Sequence, residues 1–427
     1  MHRNELGGRK TRAPAAFVRV RHYPGVTVPV ALSGADAVGA ALDQAIRGWH
    51  RSERKLAPNA TLPGRLTRVA AERAARPDAR RADGAATTYQ AISPWLDQPL
   101  TELGLAMAAC AVIADLAQDF FETRPGCLAL HCGAARFGVG LVAFTGPARA
   151  GKSTLAARLT AEPDLDVFCD DVLPVLDDGL AFGLGFAPRL RLPLPVGASL
   201  RFRAHVATHL GPRDDRYGYV CAPTVAPHGS RAPLVALVVL DRREDAPARL
   251  HQMPHDQAIT HLLTQNMTDL MTADDAVARL TALAGQLTCL RLVYSDLEAA
   301  VALLRCAFAG PVPVAADVPI GPPLAPFAGD AQVSGPADAD QVWQRDDDTV
   351  MQQQGDAAFL WRPGLRRLWH LNQIALAVWT MLEIPGSARD IAAVLADHLG
   401  AADPCVVLTD IRKLLSSMAA EGLLRAA

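Results

Sequence analysis

Lysine is nearly missing from this chain. Of its 42 Lys and Arg residues, the only lysines are Lys10, Lys55, Lys152 and Lys413. A lysine kept at 152, between glycine and serine, therefore stands for a compact, mobile point charge and not for positive charge in general. No two of the 8 cysteines have Cys-x-x-Cys spacing, which leaves a zinc site or a disulfide framework without a basis. Free, mostly buried thiols in a reducing cytoplasm are the expectation. The opening residues lack the apolar stretch of a secretory signal. Long hydrophobic runs are lacking too. The longest, 103–118, has Glu102, Asp115 and Asp119 in or beside it, so it reads as a core helix and no membrane partner is expected. Net charge is −2, which removes any global polyanion-binding signature and makes nucleic acid an unlikely partner. Only the first 84 residues are biased, with 16 basic against 7 acidic side chains. That bias reads either as a solvated lobe or as a surface for an acidic peptide or nucleic acid.

Half of the 427 residues are hydrophobic, enough for two or three cored domains. Prolines at 311, 313, 319, 322, 323, 326 and 336 make 309–341 a segment that resists helix and sheet. It reads as a linker across which few packing contacts run. It divides 1–308, taken as an accessory lobe (1–95) and a nucleotide-binding core (96–308), from a module at 342–427. In the first part, strands are expected at 17–21, 127–131, 140–144, 167–169, 234–240 and 290–294. Helices are expected at 36–50, 100–121, 153–160, 256–265, 274–286 and 296–308, with 56–90 irregular and no internal repeat. The mixture is α/β.

The densest chemistry lies at 146–154: Gly146, Pro147, Ala148, Arg149, Ala150, Gly151, Lys152, Ser153 and Thr154. This is a complete G-x-x-x-x-G-K-[ST] loop between a strand and a helix, the arrangement that cradles phosphates on backbone amides. Lys152 would reach the β- and γ-phosphates of ATP and Ser153 would offer a hydroxyl to Mg²⁺. Asp170 and Asp171 close an apolar strand shortly afterwards, and His131 precedes the loop. One Asp can hold the metal while the other accepts a hydroxyl proton. Equally, the Asp pair can open a solvated turn and His131 can be a satisfied core residue.

Leu130-His131-Cys132-Gly133, the loop at 146–153 and Cys169-Asp170-Asp171 together resemble HPr kinase/phosphorylase, P-loop protein kinases with a phosphoenolpyruvate-carboxykinase-like fold. The resemblance covers roughly 127–200. It implies that Asp170 is the base for an acceptor serine, that Asp171 lies near the metal and that His131 supports the pair. The family's glutamate-isoleucine-arginine-glycine segment is absent, and Arg189-Leu190-Arg191 lies in the corresponding region. The late proline-glycine-arginine-asparagine segment is not recognisable.

The end of the chain shows three strand candidates, 348–353, 358–361 and 365–371. Three helix candidates follow at 373–382, 388–399 and 404–424, which suggests a winged-helix-like module. Its wording resembles the PqqD family at Trp369-His370-Leu371-Asn372, Val378-Trp379, Pro385-Gly386, Asp410-Ile411 and Glu421-Gly422-Leu423-Leu424. The resemblance implies recognition of a ribosomally made precursor peptide by strand addition. The leader would lie along Arg366, Leu368 and His370 and against Asp410, Lys413, Leu414 and Ser417. A DNA-binding winged helix fits poorly, since Arg412 and Lys413 are balanced by Asp410 and Glu421. A structural or dimerising module is the other alternative.

Combined, the two resemblances imply an ATP- and Mg²⁺-dependent kinase that phosphorylates a hydroxyl, with serine the expected acceptor, in a captured precursor peptide. Other peptide-modifying enzymes and a second copy of the chain are admissible partners. A small-molecule kinase and a non-catalytic, ATP-gated peptide chaperone remain open beside it.

Overall fold

A computed structural model describes residues 17–58, 60–72, 87–138, 140–147, 149–267, 271–310, 313–324, 337–354, 357–362, 368–399, 403–420 and 422–427. The chain divides into two compact units interleaved in sequence. One holds Met1–Cys127, Cys132–Ala143 and Gly151–Pro233; the other holds Leu128–His131, Phe144–Ala150 and Leu234–Ala427. Among the described residues no helix is long and apolar enough to cross a membrane.

The first unit opens with a six-stranded sheet in the order Ser52–Leu56, Val18–His22, Val30–Ser33, Thr67–Glu72, Thr88–Ile92, Leu100–Leu103. Two of these strands fall in the stretch expected to be irregular, and the expected helix at 100–121 begins as an edge strand before turning helical at Leu105–Glu122. The strands Thr88–Ile92 and Leu100–Leu103 reflect an internal duplication. The strands at Val18–His22 and Val30–Ser33 recur seventy positions later at Thr88–Ile92 and Leu100–Leu103, each hairpin leading into a helix. The expectation of no repeat is thus overturned. Its sequence trace is slight: Pro24 and Pro29 match Pro94 and Pro99. The helix Leu105–Glu122 binds both copies. Asp119 accepts from the amide and hydroxyl of Thr27 in the first turn, and Asp115 accepts from Ser93 in the second and from Thr67.

The basic bias of this region is partly spent internally. Arg21 is buried and donates to Glu53, to Asp43 and to the carbonyl of Gly39. Arg19 pairs with Asp36 and Glu53, and Arg51 with Asp43. Of the thiols, Cys127, Cys132 and Cys169 are buried as expected, whereas Cys306 and Cys405 are exposed.

The rest of the first unit carries further short strands. Asp166–Cys169 runs antiparallel to Gly133–Phe137, and Val172–Val175 pairs with Leu180–Phe182. Arg189–Arg191, Tyr217–Val220 and Leu210–Arg213 form a small separate sheet.

In the second unit, the 236–242 part of the strand Arg231–Arg242 lies parallel to Thr288–Tyr294, which pairs on its other side with Arg249–Gln252. Crossover helices His255–Thr264 and Ala273–Gln286 pack on one another. The proline-rich segment does not resist sheet throughout: Ile320–Gly321 adds a short parallel strand to Arg249–Gln252, with the His251 ring bonded to the carbonyl of Pro322. A strand this short suits a chain that has few amide donors.

The final module has its three strands, Val350–Gln354, Ala357–Trp361 and Leu368–Leu371, in sequence order. The turns expected between them lie outside the described residues. Its helices are Gln373–Met381, Ala388–Leu399 and Pro404–Ala420. The last stops short of its expected end because Gly422, at φ 71°, turns the chain into a strand, Leu424–Ala426. That strand and Gly386–Ser387 flank Val342–Arg345 in a second small sheet that the sequence pattern did not announce. Ala358, Leu360, Leu371, Val378, Trp379, Ile391, Ile411 and Leu415 are among the residues that fill the core.

Candidate functional site

The loop at 146–154 is shaped by its glycines. Gly146 has φ 150°, and a Cβ there would stand 2.7 Å from the carbonyl oxygen of Leu240. Gly151, at φ 101°, starts helix Lys152–Leu159 from a left-handed conformation that side chains avoid. Between them the amide of Ala150 donates to the carbonyl of Pro147 at 3.1 Å, and the Tyr294 hydroxyl donates to the carbonyl of Ala150 at 2.7 Å. Tyr294 is buried, and burial pushes its hydroxyl up to about 12, so it remains a donor. Ala148 lies outside the described residues; Pro147 and Arg149 are exposed. The helix has no side-chain cap and no acidic residue in its first turn, so its leading amides suit an anion.

Lys152, Ser153 and the Asp pair come together in the first unit. A bulge between Val167 and Cys169 ends the strand Asp166–Cys169, and the chain bends at Asp170 and Asp171 before Val172–Val175. The amide of Cys132 donates to the carbonyl of Asp171 at 3.0 Å, and the Cys169 thiol donates to the carbonyl of Cys132 at 3.2 Å. A Cβ added at Gly133 would lie 3.5 Å from the carbonyl oxygen of Lys152, an ordinary contact that places this junction against the helix.

The Asp170 carboxylate accepts from the amide of Arg189 at 3.1 Å and from the hydroxyl of Ser153. Its burial, helped by the negative charge of Asp171, raises its pKa to about 7 against the opposing pull of Arg189 and Ser153. Lys152 is drawn down from the usual lysine range by burial, with the charge of Asp171 acting the other way. Ser153 thus meets Asp170, while Lys152 lies on the side of Asp171. A hydroxyl and two carboxylates form a hard, all-oxygen donor set. It fits Mg²⁺, which takes one or two carboxylates and completes its shell with water and phosphate. Among the described residues no group of three or more His, Cys, Asp or Glu is arranged to hold a metal.

Arg189 is the residue that sequence reasoning noted without giving it a role. Its guanidinium donates to the Cys110 thiol at 2.6 Å and lies 4.9 Å from the centre of the Tyr217 ring. Burial raises both the Cys110 thiol and the Tyr219 hydroxyl beside it, so the guanidinium has neutral neighbours there and its positive field reaches Asp170. His131 ends the strand Leu128–His131 half-buried, and its amide donates to the carbonyl of Gln265 at 2.8 Å.

In the final module, Leu368–Leu371 is the terminal strand of its sheet. His370 is exposed, with its ring 5.2 Å from that of Phe359. Arg366 and the side chain of Leu368 lie outside the described residues. Asp410, Lys413, Leu414 and Ser417 share one stripe of the helix Pro404–Ala420 by their spacing. Asp410 is exposed, Lys413 stands 3.5 Å from it, and Leu414 packs against the core.

Residues 357–424 match the model of the family described as coenzyme PQQ synthesis protein D (PqqD). The chain therefore ends in a PqqD-like domain. Among solved structures, TbiB1 in complex with the TbiA(beta) leader peptide is similar at 20% identity over 20% of this chain and 96% of that one, with a TM-score of 0.19. The PqqD truncation of Methylobacterium extorquens PqqCD, described as a functional, stand-alone RiPP recognition element, is similar at 21% identity over 21% of this chain and 94% of that one, with a TM-score of 0.19. No curated protein matches the chain.

Proposed function

We propose that this protein is an ATP-dependent kinase that phosphorylates a serine hydroxyl in a ribosomally made precursor peptide held by its PqqD-like domain. One observation carries the reading. Asp170, with its pKa raised to about 7, is held by Ser153 of the phosphate loop and by Arg189. A carboxylate poised near neutrality beside a phosphate cradle is what a general base for an acceptor hydroxyl requires.

In this reading the amides of 146–153 and the ammonium of Lys152 hold the triphosphate. Ser153 and Asp171 would hold Mg²⁺, which supplies charge neutralisation between the phosphates. Asp170 receives the proton of the acceptor hydroxyl as its oxygen bonds to the transferred phosphoryl group and ADP leaves. Arg189 fixes the Asp170 carboxylate and partly offsets the negative charge of Asp171. The leader adds to the edge Leu368–Leu371, where main-chain pairing gives affinity and side chains give selectivity.

The test is incubation with labelled ATP, Mg²⁺ and candidate precursor peptides, followed by mass spectrometry. Label on a peptide hydroxyl supports the proposal. Label on a metabolite alone, or peptide binding without transfer, overturns it.

A further inference from the structure

The strand Ala357–Trp361 is buried on both faces. Ala358 and Leu360 point into the core of the PqqD-like domain. Phe359 and Trp361 alternate with them onto the opposite face, yet they are only 0% and 5% exposed. A three-stranded sheet has no second layer of its own, so another element must cover that face. The Trp361 indole donates to the Asp274 carboxylate at 2.6 Å, in the first turn of Ala273–Gln286, and the helix His255–Thr264 packs on the strand Val350–Gln354. The helical pair that follows the nucleotide-binding strands is therefore the covering layer, which overturns the expectation that few contacts cross the proline-rich segment.

The same helical pair grips the strand that ends in His131. Directly after the helix His255–Thr264, the carbonyl of Gln265 accepts from the amide of His131 at 2.8 Å, Asn266 bridges to Leu130, and the amide of Met267 donates to the carbonyl of Ala129 at 2.7 Å. The next residue in the chain, Cys132, donates its amide to the carbonyl of Asp171. On the other side, Leu368 and His370 of the terminal strand stand opposite Trp361 and Phe359 in the pairing register.

We infer that Trp361 and Asp274 are positioning residues: the docked recognition sheet sets the helix His255–Thr264, which in turn sets the strand Leu128–His131. Peptide added at Leu368–Leu371 is then felt at His131, because the strand that receives it is hydrogen-bonded to the strand that bears the docking side chains. The inference rests on the proposed function for the roles of the two sites, and on the hydrogen bonds above for the relay between them. An anchored module holds its peptide in one place, whereas a tethered one only raises its local concentration.

The experiment is residue-resolved amide exchange on the full chain without added peptide or nucleotide, comparing wild type with Trp361→Phe, Asp274→Leu and Asp274→Asn. Trp361→Phe keeps an aromatic ring and loses the indole donor, and Asp274→Leu loses the acceptor. Both should speed exchange at His131 and Met267 about tenfold, the equivalent of one hydrogen bond to a charged group. Asp274→Asn keeps an oxygen acceptor and should restore rates near wild type. Acceleration confined to 350–361 and 273–286 would overturn the relay. So would equal acceleration in the strand Val18–His22, which would make the pair a prop of the whole fold. The readout does not depend on phosphate transfer. Failure to find a phosphorylated peptide sinks the proposed reaction, while wild-type exchange at His131 and Met267 in both disruptive variants sinks the relay.

Discussion

Asp170 holds its proton close to neutrality because burial and Asp171 outweigh Arg189 and Ser153. Two consequences follow with opposite signs. A base works only when deprotonated, so transfer by the free protein should rise with pH through about 7. For stability, the folded protein keeps a proton that the unfolded chain releases near pH 4, so stability falls as pH rises from about 4 to about 7. The whole loss amounts to about 4 kcal/mol. Asp170→Asn should flatten that slope in urea unfolding at several pH values, retain Mg-ATP binding and lower transfer roughly 10²-fold. A pH slope unchanged by the substitution would show that another group is responsible. Lys152→Ala should abolish most nucleotide affinity by calorimetry with the circular dichroism spectrum preserved, since the loop has no other lysine. Lys152, Ser153 and the Asp pair were legible in the sequence because the loop motif is local and spacing alone defines it. Arg189, Cys110 and Tyr294 were not, because they come from strands and a helix distant in the sequence and no short pattern records such contacts.

At the scale of single elements, the loop at 146–154 leaves no room for a side chain at its first glycine. Gly146→Ala would force a Cβ against the Leu240 carbonyl at an unfavourable φ. The expected cost is about 1–3 kcal/mol, visible as a lower denaturation midpoint with weakened nucleotide binding; a midpoint equal to wild type would mean the loop relaxes freely. The strands flanking this loop were legible as apolar runs. The second copy of the hairpin was hidden because its strands are short and partly polar: Thr88–Ile92 includes Thr88 and Gln90, and Leu100–Leu103 is an edge with Glu102. Their partners in the sheet, and not their own composition, make them strands.

Across the whole molecule, residues 357–361 read Ala-Ala-Phe-Leu-Trp, an unbroken apolar run of the kind that strands buried on both faces show. In retrospect that run announced a second covering layer, but no local pattern could say that helices far back in the chain supply it. A fragment spanning 337–427 should fold yet expose Phe359 and Trp361, and so should self-associate in sedimentation velocity experiments. A strictly monomeric fragment at high concentration would speak against the docked face. The short strand Ile320–Gly321 also carries a consequence for how the connecting segment can change. The chain is stitched down on one side of 325–336 by that strand and taken up again on the other, where Ala337 exchanges hydrogen bonds with Arg412. With both ends anchored and the domain held by its own docking face, the intervening length sets nothing. Ten Gly and Ser residues inserted between 325 and 336 should leave the rate of peptide phosphorylation unchanged at every peptide concentration. Natural versions of this chain should accordingly vary in length there more freely than anywhere else between the phosphate loop and the last helix.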